Sequence, residues 1–113
     1  MTGLVNLVRR LVLEERETQA DGSGGQVVAW RPLGTLWADV RTRTGREDFL
    51  GAVARPRVRY RILVRGAPFG AASRPRPEQR LREGARVFDI LTVAEFDPAG
   101  RYLEIEAEEG IAA

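Results

Sequence analysis

Residues 57–65 read Arg57-Val58-Arg59-Tyr60-Arg61-Ile62-Leu63-Val64-Arg65, an alternation that constrains this chain more than any other stretch in it. One face collects Val58, Tyr60, Ile62 and Val64; the other collects Arg57, Arg59, Arg61, Leu63 and Arg65. Period two is the signature of a strand with one side buried, whereas a helix would scatter the arginines around its axis. Near the C-terminus Leu103, Ile105 and Ala107 alternate with Tyr102, Glu104, Glu106 and Glu108, giving a second such strand with an acidic outer face. Residues 86–95 are more apolar on both sides, with Val87, Leu91 and Val93 opposite Phe88, Ile90 and Ala94, so a more central strand is expected there. Asp97-Pro98-Ala99-Gly100 between the last two carries a type I turn signal and predicts a hairpin.

Upstream, residues 7–18 and 27–42 also read as extended, the second interrupted near Arg31-Pro32, and Asp21-Gly22-Ser23-Gly24-Gly25 joins them as a flexible tip. A helix over residues 4–16 competes, because Leu4, Leu7, Val8, Leu11 and Val12 fall at helical spacing; the β-branched content favours the strand. Residues 44–54 break the pattern with a possible cap at Thr44, two early acids and Pro56 beyond, and read as a short helix or ordered loop. Residues 66–77, with three prolines and Arg74 and Arg76, are expected to form an exposed, partly mobile loop. Trp30 and Trp37 are expected in the core rather than at an interface. The 113 residues therefore predict a single domain spanning 1–113, mainly β: a small barrel or sandwich of about five to seven strands with one short helix or ordered loop insertion.

Charge is divided along the chain. Residues 31–86 hold fourteen arginines against five acids, a local +9, whereas residues 87–113 hold one arginine against seven acids, a local −6. Three readings stay open: the arginine row Arg57, Arg59, Arg61 and Arg65 faces a polyanion such as DNA, it meets the acidic strand bearing Glu104, Glu106 and Glu108 in another copy, or the two signs neutralise each other within one fold. Aromatic platforms beside the row are sparse, so sequence-specific nucleic-acid recognition is not expected.

Composition removes most catalytic chemistry. The chain has no His, Cys or Lys, which leaves no Ser-His-Asp triad, thiol nucleophile, Cys/His zinc site, Schiff base or Walker loop. Ser23 sits in a glycine-rich turn that lacks the first glycine of a nucleophile elbow. Glu104, Glu106 and Glu108 could hold a hard cation, but alternate acids on a strand more often suppress edge-to-edge aggregation. No enzyme, cofactor or metal is expected. No apolar run approaches the roughly 18 residues of a membrane span, so no membrane partner is expected either.

The order of pieces resembles the phage head-tail joining family, the small head-completion or stopper proteins. The resemblance rests on the N-terminal strand leading into residues 15–25, then Leu36-Trp37-Ala38-Asp39-Val40, Thr44-Gly45-Arg46-Glu47, residues 58–65 and Arg86-Val87-Phe88-Asp89-Ile90. The Pro- and Arg-rich stretch 66–84 is longer than the family pattern. What the resemblance implies is a structural head-tail connector of a tailed phage, prophage or gene transfer agent, made in the bacterial cytoplasm and resident in the particle neck. It would form a homo-oligomeric six- or twelve-fold ring that closes the DNA channel. Portal or adaptor proteins would lie above and tail terminator or tail proteins below, with nonspecific contact to packaged DNA an open option. On this reading Arg46, Glu47, Asp48, Phe49 and Leu50, together with Arg74 and Arg76, are the candidate contacts between rings.

Overall fold

In a computed structural model, which describes residues 4–43 and 57–110, the chain forms six antiparallel strands: β1 (Arg9–Ala20), β2 (Gln26–Thr42), β3 (Arg57–Arg65), β4 (Arg80–Glu83), β5 (Arg86–Glu95) and β6 (Tyr102–Gly110). They close in the order β1-β2-β3-β6-β5-β4, with β4 returning to β1 through Val12–Glu14. This is the mainly β barrel that the alternation predicts. The helical reading of residues 4–16 loses to a strand that begins at Arg9. The insertion expected at 44–54 lies outside the described residues, as do Arg46, Glu47, Asp48, Phe49 and Leu50.

Alternation decides what goes inside. Ile62 and Val64 of β3 meet Ile105 and Leu103 of β6, and Leu11, Leu13, Ala38, Leu81, Phe88, Ile90 and Ala107 complete one buried cluster. Tyr60 packs its ring edge-on against Phe88 at 5.1 Å between centroids, a favoured aromatic geometry. The predicted hairpin forms: Gly100 donates its amide to Asp97 O at 2.9 Å and adopts φ +68°, a left-handed conformation open to glycine. Gly66 runs directly beneath it, donating to Arg101 O at 2.7 Å; a Cβ added at Gly66 would lie 2.1 Å from the Gly100 carbonyl oxygen.

Several expectations need correction. Pro32 does not interrupt β2; Leu33 bulges out between Gly34, opposite Leu13, and Pro32, opposite Glu14, and the strand continues. A second bulge at Leu91 exchanges the faces of β5, so Val93 joins Phe88 and Ile90 on the core side while Leu91 and Ala94 are exposed. Neither tryptophan is a core residue. Ala38 points inward, so Trp37 beside it must point out and is 53% exposed, and Trp30 lies half-buried on the outer wall under Arg80. Leu63, on the outer face of β3, is nonetheless buried. β5 is no more central than its neighbours, since a closed sheet has no edge there.

The segment 66–79 is largely exposed, as expected, but it is pinned to the barrel at Arg74, Pro75 and Gln79. Pro75 is fully buried and Arg74 is 9% exposed, its guanidinium 3.8 Å above the Phe69 ring and donating to Ala67 O at 2.9 Å. Arg76, in contrast, is exposed. Truncating Phe88 to Ala should cost about 3–5 kcal/mol through lost burial and a cavity. Gly66→Ala should cost about 1–3 kcal/mol through overpacking. Urea denaturation followed by tryptophan fluorescence measures both, and wild-type midpoints would contradict this packing.

Candidate assembly surfaces

The divided charge of the sequence becomes a cross-strand ladder. β3 and β6 pair over their full lengths, Arg59 opposite Glu108 and Arg61 opposite Glu106, and the side chains connect diagonally. Arg57 lies 3.0 Å from Glu108 and 3.9 Å from Asp89, Arg59 lies 3.8 Å from Glu106, and Arg61 Nε lies 3.1 Å from Glu104 without the alignment of a hydrogen bond. Arg43 also pairs with Glu106. The two candidate rows are thus brought together within one chain, on one outer face, with each sign opposite the other. Arg65 stands at the end of the row, exposed and opposite Tyr102. The side chains of Arg57, Arg59 and Arg61 keep about two-fifths of their surface in solvent, so the face is available to a partner but is not a stripe of net positive charge.

At one end of the barrel the inward positions are polar. Arg9 donates to both carboxylate oxygens of Glu83 at 2.9 and 2.7 Å, and Arg86 donates to both of Glu109 at 2.9 and 3.0 Å. Tyr60 OH donates to Glu109 at 3.1 Å and accepts from Arg86 at 3.2 Å, while Arg86 also lies 5.0 Å above the Phe88 ring. Parity requires this layer: Arg9, Glu83, Arg86 and Glu109 continue the inward rows of Leu11, Leu81, Phe88 and Ala107 past the end of the apolar core. Forked guanidinium–carboxylate pairs can close a barrel mouth where buried single charges could not.

A third cluster lies on the outer wall. Glu14, only 4% exposed, accepts Arg80 Nε at 2.7 Å and Arg82 Nε at 2.8 Å, one on each oxygen. Arg80 and Arg82, two apart on one strand face, were the sequence signal for such an anion, and the shortness of β4 hid it. Next to this wall, loop 66–79 and the β1–β2 pair enclose a groove of about 510 Å³ lined by Leu33, Phe69, Ala71, Pro75 and Val93, with Arg31 and Arg76 at its polar margin. Phe69 is 79% exposed there. Of the two loop arginines singled out by sequence, Arg76 is available to a partner, whereas Arg74 is buried and holds the loop together. Among the described residues no group of three or more acids is arranged to hold a metal ion.

The paired carboxylates, two of them buried and two partly exposed, set the acid response. Hydrogen bonds from Arg9 hold the Glu83 carboxyl below its ordinary range, and those from Arg86 do the same for Glu109 against the opposing effect of burial. For Glu14 and Asp39 burial is the largest influence and opposes ionisation, but Arg82 and Arg80 at Glu14, and Arg41 and the Asn6 amide at Asp39, more than offset it. Each carboxylate therefore contributes stability above its unfolded value, near 4.5 for Glu, and that stability is lost as pH falls through the lower folded value. Unfolding midpoints should be flat from neutrality to about pH 5 and fall below it. Glu109→Gln should be weaker than wild type at pH 7 and converge with it in acid; parallel pH profiles would contradict the assignment.

Comparison with known proteins adds the context for these surfaces. The profile of a family described as phage head completion protein matches residues 4–110. A chain from the virion of a native gene transfer agent particle is 48% identical, covers 99% of this chain and 100% of its own, and superposes with a TM-score of 0.78. Protein SF1141 from Shigella flexneri 2a, solved in solution, is 21% identical with a TM-score of 0.69 over 99% of this chain and 100% of its own, a likeness of fold. No curated protein sequence matches.

Proposed function

The chain belongs to the phage head completion protein family, and from that premise we propose that it is a structural head-tail connector of a phage-like particle, acting as a ring between the portal or its adaptor and the tail. The observation that carries the reading is the 48% identity, over essentially the whole length of both chains, to a virion chain of a gene transfer agent. A whole-chain match of this kind includes the surfaces as well as the core, so the chain's place is in the virion.

The physical features agree with a scaffold that binds by shape and charge. Its outer wall carries a ladder of opposite signs rather than a converging set of reactive groups, and its exposed rings, Trp37 and Phe69, are of the kind that anchor protein interfaces. We read the chain as non-enzymatic, in keeping with the absence of His, Cys and Lys. The ladder Arg57, Arg59, Arg61 with Glu104, Glu106 and Glu108 is our candidate for a contact between copies, with Arg65 beside it; Arg76 and Phe69 are candidates for contact with the adjoining ring. The rival reading, a nonspecific nucleic-acid-binding barrel, drew on the arginine row, and each of Arg57, Arg59 and Arg61 lies beside a carboxylate. Contact with packaged DNA would then be incidental.

Exchanging both rows, with Arg57, Arg59 and Arg61 each replaced by Glu and Glu104, Glu106 and Glu108 each replaced by Arg, retains attraction within the chain while inverting what a partner meets. The folded variant should keep a near-normal unfolding midpoint yet yield few tailed particles, counted by electron microscopy. Normal tailing would remove the ladder from the interface, and purified particles without this chain at the neck would overturn the connector reading. The isolated wild-type protein should bind free duplex DNA feebly; tight binding that weakens steeply with salt would favour the rival.

A further inference from the structure

The β1–β2 hairpin extends beyond the barrel as a ribbon. β4 pairs with β1 only at Val12–Glu14, and β3 pairs with β2 only at Ala38–Thr42. Past them, Glu17–Ala20 and Ala29–Gln26 hydrogen-bond only with each other among the described strands. Both outer edges of this ribbon carry unpaired backbone groups, and an isolated two-stranded ribbon is marginal in water.

The two edges differ. On β1, Glu15, Arg16 and Glu17 alternate in charge, a pattern that discourages pairing with a like edge. On β2, Gln26-Val27-Val28-Ala29-Trp30 has neither charge nor proline, and Val27 and Val28 are half-exposed. The devices that blunt an edge, Pro32 and the Leu33 bulge, come only closer to the barrel. Resting on the connector reading above, we propose that in the assembled ring the ribbons stand side by side, the β2 edge of each copy pairing with the β1 edge of the next.

Three features select this occupant. β1 and β2 run in opposite directions, so copies related by rotation about an axis along the ribbon bring β2 of one antiparallel to β1 of the next. The β1 edge is open over Glu15–Ala20 and the β2 edge over Gln26–Trp37, so the distal part of the β2 edge, Gln26–Arg31, has a β1 edge of equal length to meet. The charges are also complementary. Arg31, half-exposed on β2, already holds Glu15 at 2.7 Å and Glu17 at 3.5 Å within the chain, and the next copy's β1 edge offers the same two carboxylates on its other side. Pairing of two β2 edges about a two-fold axis would leave every β1 edge open and could not close a ring. Pairing unlike edges repeats around the axis until the first ribbon meets the last.

The chain has no cysteine, so single cysteines report directly. Thr18→Cys and Val28→Cys, which share one face of the ribbon, are made as separate variants and co-expressed in cells producing particles. Oxidation of purified particles with copper phenanthroline, which forms a disulfide only where the two Cα atoms lie within about 7 Å and so cannot span the two strand spacings between equivalent residues, should give a covalent dimer of this chain from the mixture and none from either variant alone. Gln19→Cys with Val27→Cys repeats the experiment on the opposite face and covers failure of the first pair to incorporate. Dimers from Val28→Cys alone, attachment of Val28→Cys to a protein of different mass, or no dimer in particles that contain the chain would each overturn the ribbon pairing while leaving the connector reading intact. Wild-type particles lacking the chain would overturn the connector reading itself, and the ribbon pairing with it.

Discussion

The pairing of β3 with β6 is the constraint on which the rest of the structure depends. Nine residues of each strand are matched from Arg57 to Arg65, and the register fixes two outcomes at once. Ile62 and Val64 are placed against Ile105 and Leu103 in the core, while the basic and acidic rows are placed side by side outside. A slip of one residue would exchange the faces, burying arginines and glutamates and exposing the core, so the register is held by the cost of the alternative. The small net charge of +2 conceals a separation of charge along the chain, and this pairing brings the two signs back together in space.

The same alternation explains what could and could not be read from the sequence. β3, β6 and the Asp97–Gly100 turn were legible because period two persists across them and the turn residues carry their own geometry. Trp37 misled because ring size suggests burial, whereas its position beside the inward Ala38 decides otherwise. Val93 and Ala94 misled because one extra residue at Leu91 reverses every later assignment on β5, and composition gives no sign of where a bulge falls. β4 was lost within what looked like one long loop: four residues are too few for a period to stand out, and its closing contact with β1 spans three residue pairs.

Of the surfaces, the sequence supplied the rows but not their partners. That Arg57, Arg59 and Arg61 would meet Glu104, Glu106 and Glu108 of the same chain depends on strand order, a nonlocal fact. Arg74 shows the converse: in a proline-rich stretch a guanidinium reads as a surface contact, yet stacking on Phe69 and a bond to Ala67 O make it an internal brace. An arginine-only basic set favours such uses, because a planar fork can stack on a ring and donate sideways together, as Arg80 does between Trp30 and Glu14.

The protruding hairpin has a different thermodynamic standing from the barrel that carries it. Its distal pairs rest on one another and on a tip in which Asp21 accepts the amides of Ser23 and Gly25, without the apolar backing that secures the other strands. Such a segment can open and reclose while the remainder stays native, so its amide hydrogens exchange with solvent on a faster clock than those of the core. In a subunit built this way the barrel closes on itself, and among the described strands the ribbon is the part with most to gain from neighbours.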